Sequence, residues 1–192
     1  MWALELAGWR ERVAQLYLSD LDLAGFRRAK DELFATHPQS PVPRDRFAGL
    51  RYFPANPDLV FDVTLRAADG VIEVDTGETD GVLTYRRAGI ADTPLGPVTL
   101  WWLAGYGGGL FLPFRDNTCG EISYGGGRYL TDTVKGTFGR GVIVLGPSSL
   151  RLDFNYAYNP SCAYSPRWVC PLAPAENTLS EAVPAGEKRW ES

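Results

Sequence analysis

The side chains best suited to chemistry lie between Arg115 and Asn159. Arg115, Asp116, Glu121, Tyr124, Arg128 and Tyr129 fall in one short run of the chain. Two guanidinium groups can grip an anion through paired hydrogen bonds, and Tyr124 or Tyr129 can donate another. Asp116 and Glu121 can exchange protons if burial moves their pKa values. Further on, Leu150–Tyr158 alternates, with apolar even positions and Arg151, Asp153 and Asn155 on the other face. The expected ligand site is Arg115, Asp116, Tyr124, Arg128, Asp153, Asn155 and Asn159. Arg128 and Arg115 would neutralise a small organic anion, while Asn155 and Asn159 fix its orientation. The competing reading makes the same ions internal salt bridges at the rim of a barrel. The alternative function is a His-independent hydrolase or isomerase. There Asp116 or Glu121 acts as general acid or base, Tyr124 as electrophilic donor and Cys162 as an outside candidate nucleophile.

Other chemistries are poorly supplied. His37 is the single histidine and stands before Pro38, so a helix-end role suits it better than a triad. Gly105-Tyr-Gly-Gly-Gly109 and Gly125-Gly-Gly127 lack the Gly-Lys-Ser/Thr signature and precede no helical pattern, which favours tight turns over phosphate binding. Cys162 and Cys170, separated by seven residues, lack metal-knuckle spacing. Packing as small apolar groups suits them best, although the spacing also permits a disulfide. Neither a metal nor a cofactor is expected. Asn159–Pro160 is a candidate cis bond.

Composition sets outer bounds. The 192 residues are 45% hydrophobic and 22% charged, an ordinary globular balance with one substantial core. The net charge of −4 and the lack of a basic stripe argue against nucleic acid. Residues 93–114 carry no charge, but Pro94, Pro97, Pro113 and five glycines suit buried strands and turns better than a membrane span. No signal-peptide pattern opens the chain, and an odd count of 3 cysteines fits reduced thiols. A cytoplasmic protein is therefore expected, with a small molecule as partner and its oligomeric state open.

The elements that must hold these groups divide into helices and then strands. Trp2, Leu6, Trp9, Val13 and Leu16 share one helical face, and a docking role for it would leave Trp2 and Trp9 exposed. Asp22 is the natural N-cap of a second helix reaching about Thr36. Residues 37–57 read as an irregular connection anchored by Phe47, Leu50, Tyr52 and Phe53. Strands are expected at Leu59–Arg66, Val71–Thr76 and Val82–Arg87, with hairpin joints at Ala68-Asp69-Gly70 and Gly77–Gly81. Further strands are expected at Val98–Ala104, Leu110–Phe114, Glu121–Tyr124, Arg128–Leu130, Val142–Leu145 and Leu150–Tyr158. Leu110–Phe114 is apolar throughout and should be buried on both faces. The whole reads as one mainly β, α+β domain over residues 1–192. Its helical segment is 1–36 and its β core 58–179, an antiparallel barrel-like or strongly coiled sheet, with a β-sandwich as the alternative. Residues 180–192 read as an exposed tail.

Several long runs carry a family resemblance. Gly-Leu-Phe-Leu-Pro-Phe-Arg-Asp-Asn-Thr from Gly109, Tyr-Gly-Gly-Gly-Arg-Tyr-Leu from Tyr124 and Leu-Asp-Phe-Asn-Tyr-Ala-Tyr-Asn-Pro-Ser-Cys-Ala-Tyr from Leu152 are the core of it. Cys170–Asn177, Ser40-Pro41 and Phe47–Pro54 extend it. The chain resembles the family called domain of unknown function 1684, in a shorter version with a brief segment between the helices. That resemblance implies no activity.

Overall fold

The structure, a computed structural model, describes residues 2–77 and 81–191. Helix α1 spans Trp2–Tyr17 and turns Leu6, Trp9, Val13 and Leu16 toward the protein, with Tyr17 buried. Trp2 is 70% exposed, whereas Trp9 turns inward and packs edge-on against Phe34 at 5.3 Å. Helix α2, Leu23–Thr36, begins where the Asp22 carboxylate accepts the Gly25 N–H at 2.6 Å. It stops at His37, whose N–H reaches Leu33 O, because Pro38 disfavours helical backbone at the residue before it. The buried face of α2 carries Phe26, Leu33 and Phe34, and also Lys30.

Among the described residues, eight strands form one nearly closed, antiparallel, barrel-shaped sheet. They are β1 (Val60–Arg66), β2 (Val71–Asp75), β3 (Val82–Thr93), β4 (Gly96–Ala104), β5 (Gly109–Phe114), β6 (Arg128–Asp132), β7 (Val142–Val144) and β8 (Ser149–Asp153). The order is β6-β5-β4-β3-β1-β8-β7, with β2 also on β3. This is the barrel-like alternative rather than the sandwich. Near the closure Gly141 lies so tightly against the Leu130 carbonyl that a Cβ could not fit.

The joint at Ala68-Asp69-Gly70 is not a hairpin. Strand β3 is long enough to pair with β2 from Val82 to Arg86 and with β1 at Ile90 and Ala91, so β1 and β2 share one edge of β3. A register shift between Arg87 and Gly89 bends the strand between the two partners. At Gly89, φ is +156° and Leu65 Cβ would stand 3.1 Å from an added methyl, which explains the glycine. The second joint falls partly on residues 78–80, outside the described residues, but its flanking strands do pair. Glu121–Tyr124 is a turn, in which Ser123 N–H bonds Thr118 O at 3.0 Å. Strand β8 ends at Asp153, and Phe154–Tyr156 winds into a single 3-10 turn.

Leu100, Leu112, Phe114, Leu130, Leu152 and Phe154 fill the main core. Burying side chains of this size contributes roughly 1.5–3 kcal/mol each before conformational entropy is subtracted. The Leu110–Phe114 strand is indeed buried along nearly its whole length. The C-terminal segment corrects the expectation of an exposed tail. Val183 and Ala185 enter the main core, and Glu187 is buried as well. Backbone bonds from Glu187 N to Ala157 O and from Lys188 N to Arg51 O, both 2.8 Å, hold this strap in place. The segment pairs its polar backbone piecemeal with several loops, so it carries no strand or helix periodicity. All described peptide bonds are trans, Asn159–Pro160 included.

Candidate functional site

At the barrel rim, β6 starts with Arg128, which is 0% exposed. Its Nη2 donates to Asp116 Oδ1 at 3.1 Å and to Val183 O at 2.8 Å. Its Nη1 donates to the carbonyls of Ala185 and Glu187. The guanidinium also stands over the rings of Phe114 and Phe53. Burial lowers the Arg128 pKa, and the Asp116 carboxylate works against that shift. Asp116 is equally occupied, because its Oδ2 accepts from Val183 N at 2.7 Å and from the Thr118 hydroxyl at 2.8 Å. The pair ties the C-terminal strap to the barrel and engages both Nη atoms, leaving only Nε of the guanidinium without a partner.

The remaining sequence-selected residues do not converge on it. Arg115 is half-buried, and its backbone joins Asn177 and Leu179. Glu121 is exposed on its turn, so Asp116 and Glu121 do not face a common space. Asp153 accepts from Asn155 N and Nδ2, each at 2.9 Å, while Asn155 exchanges two bonds with the Asn56 backbone. These two residues staple the connection 37–57 to the end of β8. Tyr129 is buried, with its hydroxyl on Pro171 O. Tyr124 donates to Cys162 Sγ at 3.7 Å, and burial, then Cys162, pushes its pKa up to about 12.

Of the set, Asn159 and Tyr129 line a cavity. This space of about 70 Å³ lies between α1, α2 and the barrel. Its walls include Trp9, Val13, Phe34 and Pro160, and its polar surface includes Tyr17, Lys30 and Asn159. The volume is far below the roughly 300–1,000 Å³ of a drug-sized pocket, so it suits a compact molecule.

Lys30 brings a buried cation to the wall of this cavity. Lys30, 4% exposed, approaches Glu187 Oε1 at 2.6 Å. The approach lies outside hydrogen-bond alignment, so it is an ion pair in which Glu187 Oε1 receives no aligned hydrogen bond and an ammonium with three N–H groups faces this one carboxylate. The ammonium stands over the rings of Tyr158, Phe34 and Tyr17 at 4.8, 5.4 and 5.9 Å. Glu187 is better satisfied, since Oε2 accepts from Tyr164 Oη at 2.7 Å and Asn159 N at 2.8 Å. Burial raises the phenol pKa values of Tyr17, Tyr158 and Tyr164, which keeps them neutral donors. Tyr17 Oη and Asn159 Oδ1 are two of the ten side-chain atoms that, among the described residues, are buried without a hydrogen-bond partner. Burial of an unanswered polar atom is costly, and here two of them line the same space.

Lys30, Tyr17 and Glu187 were not selected from sequence. One signal for Lys30 was present, because it falls on the same helical face as Phe26, Leu33 and Phe34. Glu187 gave none, since its burial depends on the path of the strap. Among the described residues, no group of three His, Cys, Asp or Glu side chains is arranged to hold a metal. No helix there is long and apolar enough to cross a membrane.

Two helices laid over one rim of a nearly closed antiparallel sheet, with an amphiphilic cavity beneath them, define an α+β barrel-like domain. A family model described as protein of unknown function (DUF1684) matches residues 45–188, and the chain belongs to that family. The match takes in Asn159, Tyr164 and Glu187, whereas Tyr17 and Lys30 lie before it. The chain is also similar to the solution NMR structure of an uncharacterized protein from gene locus rrnAC0354 of Haloarcula marismortui. The TM-score is 0.58 at 36% identity, covering 86% of this chain and 91% of that one. No curated protein matches the chain.

Proposed function

We propose that this domain binds a small organic anion, such as a compact monocarboxylate, in the cavity between the helices and the barrel. The carrying observation is the pair of buried, unpartnered polar atoms, Tyr17 Oη and Asn159 Oδ1, on the cavity that Lys30 also lines. Lys30 and Tyr17 supply donors for a carboxylate, and Asn159 Oδ1 accepts from a hydroxyl or amine on the ligand. The apolar body packs against Trp9, Val13 and Phe34. Of the sequence-selected ligand residues, Asn159 keeps an orienting role, while Arg128 and Asp116 act as the lock beneath the strap. An acid–base enzyme built on Asp116 and Glu121 gains no support, because one carboxylate is enclosed and the other faces solvent. The three free thiols suit a reducing compartment, and we place the protein in the cytoplasm on that ground.

The test is thermal unfolding with a panel of short monocarboxylates from acetate to benzoate, with hydroxy acids such as glycolate and lactate included to supply a donor for Asn159. A concentration-dependent rise in melting temperature is expected for at least one member. The rise should disappear in Tyr17→Phe and Lys30→Met, each compared with its own ligand-free protein. No stabilisation across the panel, or an equal rise in both variants, would contradict the proposal.

A further inference from the structure

We propose that Cys162 and Cys170 are a reversible dithiol–disulfide pair, oxidised by a small peroxide. Cys162 sits on the 3-10 turn Ser161–Ala163, and the chain returns to it after Trp168. Its N–H donates to Cys170 Sγ at 3.3 Å, and the Tyr124 hydroxyl reaches Cys162 Sγ at 3.7 Å. Cys119 belongs to a separate cluster, where its sulfur meets Asp116 N and the Ser123 hydroxyl. The proposal rests on the thiol geometry alone and does not require the ligand cavity.

The roles within the pair are unequal. Hydrogen bonding from Cys162 holds the Cys170 thiol below its ordinary pKa against the opposing effect of burial, with help from Lys135. The Cys162 thiol is raised, foremost by Cys170 and then by burial. These opposite directions favour the proton on Cys162 and the thiolate, the nucleophilic form, on Cys170. Its sulfur attacks one peroxide oxygen and the O–O bond breaks. The leaving hydroxide takes a proton to become water, and Cys170 becomes a sulfenic acid. Cys162 sulfur then attacks Cys170 sulfur, the S–O bond breaks, and the departing oxygen leaves as a second water with the Cys162 proton. Two thiols lose two electrons while one peroxide becomes two waters, and thiol exchange restores the dithiol. Cys170 is only 8% exposed, which admits hydrogen peroxide more readily than a bulky disulfide oxidant.

The full chain, reduced and freed of reductant, is treated with hydrogen peroxide, alkylated and mapped by mass spectrometry. The expected product is two hydrogens lighter, joins the Cys162 and Cys170 peptides, leaves Cys119 alkylated and reverts with dithiothreitol. Oxidised glutathione should act more slowly than peroxide. Cys162→Ser should accumulate a dimedone-trapped sulfenic acid at Cys170, and Cys170→Ser should react at least about tenfold more slowly than the wild type. Three alkylated thiols after peroxide, a cross-link through Cys119, or wild-type reaction rates in Cys170→Ser would overturn the proposal. The wild-type map decides the pairing even if a variant fails to fold.

Discussion

Arg128 and Lys30 are both buried cations facing a carboxylate, and they differ in how fully their surroundings answer them. Arg128 has Asp116, three strap carbonyls and two aromatic faces. Lys30 has one misaligned carboxylate and three ring faces, and it borders open space. A charge whose donors are nearly all engaged fixes a fold. A charge with donors left over beside a cavity is ready for a ligand. Burial alone does not separate these two cases, whereas the state of the hydrogen-bond partners does.

Substitution should separate the regions in order of size. Arg128→Met is expected to cost about 3–5 kcal/mol, because Asp116 and several carbonyls lose their partner in a dry site. Urea denaturation measures it, and Arg128→Lys should recover little, since an ammonium cannot replace the fork. A loss under about 1 kcal/mol would remove the distinction between lock and site. Lys30→Met should cost less, about 1–3 kcal/mol, because Glu187 keeps the bonds from Tyr164 and Asn159.

Asp132 stands between the two cases. It is buried, accepts the Lys135 N–H at 3.3 Å and has the Lys135 ammonium only at 3.8 Å. Burial raises its pKa, with Lys135 opposing. The folded state therefore holds its proton to higher pH than the unfolded chain does. The resulting stability is present at low pH and declines as pH rises from the ordinary carboxylate value through the raised one. Asp132→Asn should flatten that part of the stability–pH curve. An unchanged slope would mean that Asp132 is solvated. Tyr17→Phe should have the smallest effect on the ligand-free protein, within about 1 kcal/mol and toward greater stability, because it removes a hydroxyl that nothing answers. A clear destabilisation would show that the hydroxyl already has a partner.

Local patterns in the sequence carried much of the architecture. The Asp22 cap, the Pro38 stop and the uninterrupted apolar run Leu110–Phe114 each depend on near neighbours, and each has its expected consequence in the structure. Features set by distant parts of the chain were not legible. The sharing of β3 by β1 and β2 depends on the bend at Arg87–Gly89, and the buried strap depends on carbonyls meeting Arg128. The candidate site shows the same division. The competing reading of internal salt bridges at the rim holds for Arg128 and Asp116. Alternation along Leu150–Tyr158 could not reveal that Asp153 and Asn155 turn to each other and to Asn56. The most informative residue passed over was Lys30, a lone cation on the apolar face of α2.

The most direct test is chemical-shift mapping of the labelled full chain during titration with glycolate and lactate. Saturable shifts are expected at the Trp9 indole, the Asn159 side-chain amide and the Tyr17 ring, with the signals around Arg115 and Glu121 unmoved. Shifts centred on the Arg128 rim, or none in the cavity with either acid, would contradict the assignment of the ligand site to the space beside Lys30.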